Sequence, residues 1–237
     1  RKEIADYCDF DIHQAAVDCA GDDEKRLAQL ERFTLPAEDL FTSPKCTKLR
    51  QLIPELIKNN HRILLFSQWT KCLDLLECLL ENLNMEQDRQ YLRVDGSTPI
   101  NERQHLFDKF NENDCFHVFL LTTRACGMGV NLTAADTCII YDLDFNPAND
   151  NQAQDRCHRI GQTKPVTVYK LITENTVDAD IYEMQKSKVE MNKAIMDGSN
   201  SKKKKAAETE KMQSIVQTAV DRFLSHTSPD KLRGAHI

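Results

Sequence analysis

The chain has 237 residues, 41% of them apolar, and sets 31 basic against 37 acidic side chains for a net charge of −6. That size and apolar share allow one large domain with appendages and a sizeable core. The acidic balance excludes nucleic-acid binding by overall charge, leaving only a local basic groove, and no apolar run reaches the ~18 residues of a membrane span.

The chain opens at Arg1, which reads as the start of a segment of a longer protein. Residues 1–42 are charged and helical in pattern, broken by the GDD at 21–23, and read as a helical connector. Ser43 and Pro44 look like an N-cap followed by proline at the first helical position. The helix they open carries Leu49, Leu52, Ile53, Leu56 and Ile57, with Pro54 expected to kink or restart it and Asn59-Asn60 to end it.

From there strands and helices alternate. RILLFS (62–67) is a continuous apolar run, as in a strand buried on both faces. Trp69, Cys72, Leu73, Leu76, Leu79, Leu80 and Leu83 follow at helical spacing, with Trp69 read as a packing anchor of that helix rather than a base-stacking platform. YLRVD (91–95) is a second strand ending in an Asp95-Gly96 turn. Thr98 and Pro99 open a helix whose Leu106, Phe107 and Phe110 face a core. FHVFLLTT (116–123), TCIIYDLD (137–144) and VTVYKLIT (166–173) complete five strands. Intervening helices supply the crossovers that parallel neighbours require, so the expected fold is an α/β parallel sheet between helix layers. A long helix over 176–196 carries Ile181, Met184, Lys188 and Met191. A lysine-rich linker, an amphipathic helix over roughly 206–225 and a tail from Ser225 close the chain.

Open parallel sheets bind ligands outside the carboxyl ends of their strands. The loops expected there are SQWT, DGST, TTRACGMGVNL and DLDFNP. Beyond them lies QAQDRCHRIGQTKPV (152–166), which sets Arg156 and Arg159 three apart before a Gly161 turn. On a helix that spacing puts both guanidiniums on one face, where paired planar forks suit a phosphoryl group. A bare RxxR is otherwise a solvated surface feature, and Cys157 and His158 read as spacers without a metal role. Nine cysteines without a CxxC pair or zinc spacing read as reduced, mostly buried thiols of a cytosolic or nuclear protein.

LLFSQWT, YLRVDGSTPINERQ, LLTTRACGMGVNLTAAD and YDLDFNPANDNQAQDRCHRIGQ resemble, in order, the second RecA-like lobe of Swi/Snf-type ATPases of helicase superfamily two. The resemblance covers about residues 43–196, and the last string is similar to the SMARCAD-type subgroup of chromatin remodellers. It implies a RecA-like α/β/α lobe over 43–175, a brace-like helix over 176–198 and an appended 199–237. It implies that Arg156 and Arg159 reach ATP held by a first lobe, with Gln152 opening the same motif. Gly127 and Gly129 match glycines where backbone approaches nucleotide and the facing lobe, and Asp142 and Asp144 an acidic pair that holds the arginine helix. Ser67, Gln68, Thr122 and Thr123 match contacts to the DNA backbone, with Arg124 beside them.

Three positions depart from the pattern: Cys126 stands where the family usually has glycine, Met128 where it has leucine, and Phe145 where it has tryptophan. A Cβ at 126 excludes conformations that glycine allows. No GxxxxGK[ST] cradle is present, so ATP and Mg2+ are expected to be held mainly by a first lobe, and this segment alone to be inactive. The implied whole is a nuclear, ATP-dependent translocase acting on duplex DNA and nucleosomes, with no membrane association. A non-catalytic RecA-like scaffold and a strand-separating helicase are the alternatives.

Overall fold

The computed structural model describes residues 9–21, 24–30, 37–125, 130–196 and 217. Gly127, Gly129, Cys126 and Met128, the lysine-rich linker and the expected last helix, save Gln217, lie outside these residues. The chain forms two compact units: residues 1–141 with 152–169, and residues 142–151 with 170–237.

In the first unit, three helices precede the sheet: α1 (Asp9–Ala20), α2 (Glu24–Leu30) and α3 (Ala37–Leu40). Gly21 stops α1 at φ +53°, where a side chain would be strained. Helix α4 (Pro44–Lys58) starts as its sequence dictates, with the Ser43 hydroxyl accepting the Cys46 N–H. It runs as one helix across Pro54, which therefore does not restart it. Pro54 and Arg50, whose carbonyl cannot bond to the proline nitrogen, both lie on the exposed face.

The sheet runs β2 (Tyr91–Val94), β3 (Val118–Thr122), β1 (Ile63–Ser67), β4 (Thr137–Ile140), β5 (Thr167–Lys170) in spatial order. It is a parallel sheet, with β1 paired to β3 and β4, and β2 to β3. Strands β1, β3 and β4 are buried throughout, which accounts for their unbroken apolar runs. Helices α5 (Thr70–Asn82) and α6 (Ile100–Glu112) supply crossovers. Phe107 and Phe110 of α6 set their rings 5.8 and 5.0 Å from Phe119 of β3. The fourth strand is shorter than its apolar run, stopping at Ile140. The edge strand β5 is more exposed than the others.

Trp69 corrects the sequence reading. Leu73, Leu76, Leu79 and Leu80 form the buried face of α5, but Trp69 is 65% exposed and packs into no core. Helical spacing cannot place it, because Trp69 precedes the helix with extended backbone (φ −112°, ψ 127°).

Arg62 was unmarked in the sequence and anchors the opposite end of β1. Its Nε donates to the Phe116 carbonyl at 2.9 Å, and Nη2 to the carbonyls of Asn113 (3.0 Å) and Phe110. The guanidinium also lies 4.4 Å from the Phe110 ring centroid. It thereby satisfies two carbonyls at the end of α6, which carry the negative end of the helix dipole.

In the second unit, α8 (Val177–Met196) fills the place expected for the long helix, with Ile181 and Met184 buried. The backbone of Met191 is helical, but its side chain lies outside the described set. Helix α7 (Pro147–Gln154) begins in this unit and ends in the first. Among the described residues, no helix is long and apolar enough to cross a membrane.

Candidate functional site

Parallel pairing in register brings the ends of three strands level. Ser67 lies opposite Thr122, Phe66 opposite Leu121, and Leu121 opposite Val94. The loops after β1, β3 and β2 therefore leave the sheet side by side, with Ser67 and Gln68 at one strand end and Thr122, Thr123 and Arg124 at the next.

Local hydrogen bonds fix these loops. Ser67 is buried, and its Oγ accepts the Trp69 N–H at 3.2 Å. Thr122 Oγ1 accepts the Ala125 N–H at 3.3 Å, and Thr123 N–H donates to the Ser67 carbonyl at 3.2 Å. Arg124 is exposed. After β2, the buried Asp95 accepts the Ser97 N–H at 2.8 Å and the Ser97 hydroxyl at 2.5 Å, an Asx turn. Arg93 grips that carboxylate at 2.7 Å along with Asp74 and Glu77, both at 2.6 Å. Burial alone would raise Asp95; its bonds from Ser97 and Arg93 outweigh that and hold the carboxyl below its ordinary value.

The arginine segment departs from the expected helix. Helix α7 stops at Gln154, and Arg156 and Arg159 sit in successive turns. The carbonyls that a continuing helix would need are taken. Arg156 O accepts the Leu132 N–H at 3.1 Å, and Cys157 O accepts Gln162 Nε2 at 3.2 Å. Gln162 also donates to Ala135 O (2.8 Å) and Thr133 O (3.2 Å), stapling the segment to the loop before β4. Spacing missed Gln162, although it stands within the RIGQ string. Arg156 is 3% exposed, Cys157 is buried, Arg159 is half-buried, and Gln152 and His158 are exposed. Gly161 closes the turn at φ +103°.

Asp142 and Asp144 fall in the second unit. Asp144 accepts the Asn146 N–H at 2.8 Å and Asn149 Nδ2 at 2.9 Å, bonds that hold the start of α7. Asp150, also missed, is fully buried and accepts Gln185 Nε2 of α8 at 2.7 Å and the Asp144 N–H at 3.2 Å. Gln185 Nε2 also donates to the Asp144 carbonyl at 2.5 Å. The half-exposed Phe145 follows in the same loop.

Burial raises the Asp150 carboxyl above its ordinary value, and the Gln185 and Asp144 donors hold it back. Such a group favours folding most below the unfolded carboxyl pKa of about 3.9, and that contribution is lost as pH rises through the higher folded value. Gln185→Ala removes a restraining donor and raises the carboxyl further. We expect it to cost about 1.5–3 kcal/mol at neutral pH, with a smaller deficit in acid. Urea midpoints of both chains across the acid range measure this; a deficit unchanged with pH would count against the account.

Among the described residues, no three His, Cys, Asp or Glu side chains converge to hold a metal ion.

Residues 44–161 match the helicase conserved C-terminal domain family. The Arabidopsis thaliana Protein CHROMATIN REMODELING 19 is 45% identical over 196 residues, 83% of this chain and 24% of that protein. A Drosophila melanogaster SWI/SNF-related matrix-associated actin-dependent regulator of chromatin subfamily A containing DEAD/H box 1 homolog is 42% identical over 194 residues, 82% of this chain and 21% of that protein. The crystal structure of the C-terminal part of the Fun30 ATPase domain matches at TM-score 0.61 and 32% identity, covering 76% of this chain and 66% of that one. Sheet order, motif order and these matches define a RecA-like helicase C-terminal domain. The chain belongs to the SWI/SNF-related branch of the helicase-type ATPases. It spans about a quarter or less of the length of these curated relatives.

Proposed function

We propose that this chain is the second RecA-like lobe of a nuclear, DNA-dependent ATPase that translocates on duplex DNA and remodels nucleosomes. The observation that carries the reading is the level edge of β1 and β3, which sets Ser67 beside Thr122 with exposed Arg124 close in sequence. The exposed Arg124 cation beside the half-exposed Thr123 hydroxyl matches a phosphate backbone and reads no bases, so binding should be independent of sequence and sensitive to salt. Residues 43–175 form the lobe in this reading, after a connector over 1–42, and α8 acts as its brace.

ATP and Mg2+ are held mainly by a first lobe of a longer chain. Arg156 and Arg159 complete that site on closure, with Gln152, Gly127, Gly129, Asp142 and Asp144 shaping the interface between lobes. The pinned turn supports this role, because Gln162 and Leu132 fix the backbone that carries both arginines. Closure on ATP and opening after hydrolysis let each lobe grip the backbone in turn.

The test is the ATPase rate of the longer protein with and without duplex DNA, alongside displacement of a fluorescent strand. Stimulation by duplex without displacement is expected. Robust displacement would make the protein a strand-separating helicase. Silence on both duplex and nucleosomes would leave a scaffold.

A further inference from the structure

Trp69 is the only tryptophan in the chain, and it is 65% exposed on a well-fixed backbone. The Ser67 hydroxyl accepts its N–H at 3.2 Å, and its own carbonyl accepts the Leu73 N–H at 3.1 Å as α5 begins. An indole left in water forgoes about 2–3 kcal/mol of burial. The backbone of Trp69 is fixed one residue beyond Gln68, and the ring stands in solvent.

The neighbouring loops say what it faces. Arg124 follows β3 and makes no ion pair among the described residues. Beyond β2, Arg103 donates to the carbonyls of Thr98 (2.9 Å) and Gly96 (3.3 Å), which leaves its charge unneutralised by them. The one carboxylate of that loop, Asp95, is buried and already occupied by Arg93 and Ser97. The segments at this edge thus carry the exposed Arg124 and the partly exposed Arg103, together with the exposed Trp69 indole.

Duplex DNA alternates the same two chemistries: charged phosphates, and deoxyribose rings with exposed C–H faces. We propose that Trp69 is a further DNA-contact residue, its indole packed on the deoxyribose face of one strand of a duplex lying along the β1–β3 edge. The inference rests on the reading of that edge as a DNA track. In a duplex the bases stay stacked, so the contact adds affinity without sequence preference.

The single tryptophan makes the test direct. The 237-residue chain is titrated with an end-labelled duplex, following intrinsic emission and duplex anisotropy together. Emission is expected to change in step with anisotropy. Trp69→Ala should weaken duplex binding about fivefold through lost apolar burial, while leaving the salt slope unchanged, because no phosphate contact is lost. Trp69→Phe should restore most of the affinity. Duplex binding with constant emission and no loss in the alanine variant would overturn the Trp69 contact and leave the DNA track standing. Absence of duplex binding would overturn both.

Discussion

Replacing Arg159 by alanine in the longer protein is expected to lower DNA-stimulated kcat by about 10³–10⁵, equivalent to about 4–7 kcal/mol of barrier, with nucleotide binding largely kept. The half-buried Arg159 stands in a turn whose N–H and carbonyl groups are used locally: its N–H donates to Cys157 O at 3.2 Å and its carbonyl accepts the Gln162 N–H at 3.0 Å. Its side chain can be removed without unpicking those bonds. Arg156 is buried, so the Arg156→Ala, Arg159→Ala pair should lose stability as well as turnover, and the single Arg159 variant separates the two effects. Arg159→Lys keeps a charge but loses the planar fork, and should recover only a small part of the rate. Steady-state turnover and nucleotide affinity together decide the matter. Near-normal kcat in Arg159→Ala would sink the assignment.

The largest expected effect on stability lies at the other end of the sheet. Arg62→Ala strands the carbonyls of Phe110, Asn113 and Phe116 at the end of α6 and before β3. Each buried acceptor left unmade costs about 1–3 kcal/mol, so the variant should lose about 3–5 kcal/mol, less what water recovers by entering the gap. For a chain of this size that lowers Tm by roughly 10 °C. Arg62 lies at the amino end of β1, away from Ser67 and Trp69, so duplex affinity of the folded variant should be unchanged. Thermal melts and duplex anisotropy at a temperature where both proteins are folded provide the check. A melting point within a degree or two of the parent would refute this account of α6.

The contrast between legible and hidden features follows from how far each interaction reaches. Ser43-Pro44, the apolar runs of β1 and β3 and the Asp95-Gly96 turn depend on neighbours in sequence, and each formed as read. Ser67 and Thr122 came together because parallel register follows from strand order. The arginine helix failed because its carbonyls were claimed from elsewhere, by Leu132 and by the Gln162 side chain. Trp69 failed because periodicity shows where a helix would bury a residue but not where the helix begins. Arg62, Asp150 and Gln185 look like ordinary surface residues in sequence. Only the fold reveals which carbonyls and donors await them.

The spatial order of the strands also constrains how the chain is made. Ile63 pairs with Val118 on one side and Thr137 on the other, so both partners of β1 emerge from the ribosome long after it does. At about 5–20 residues per second, a strand apolar from Ile63 to Phe66 waits for seconds with both edges bare. Chains truncated before β4 would keep one of those edges exposed for good. They should aggregate at concentrations where the 237-residue chain stays dispersed, which makes newly made, unfinished copies natural clients for chaperones.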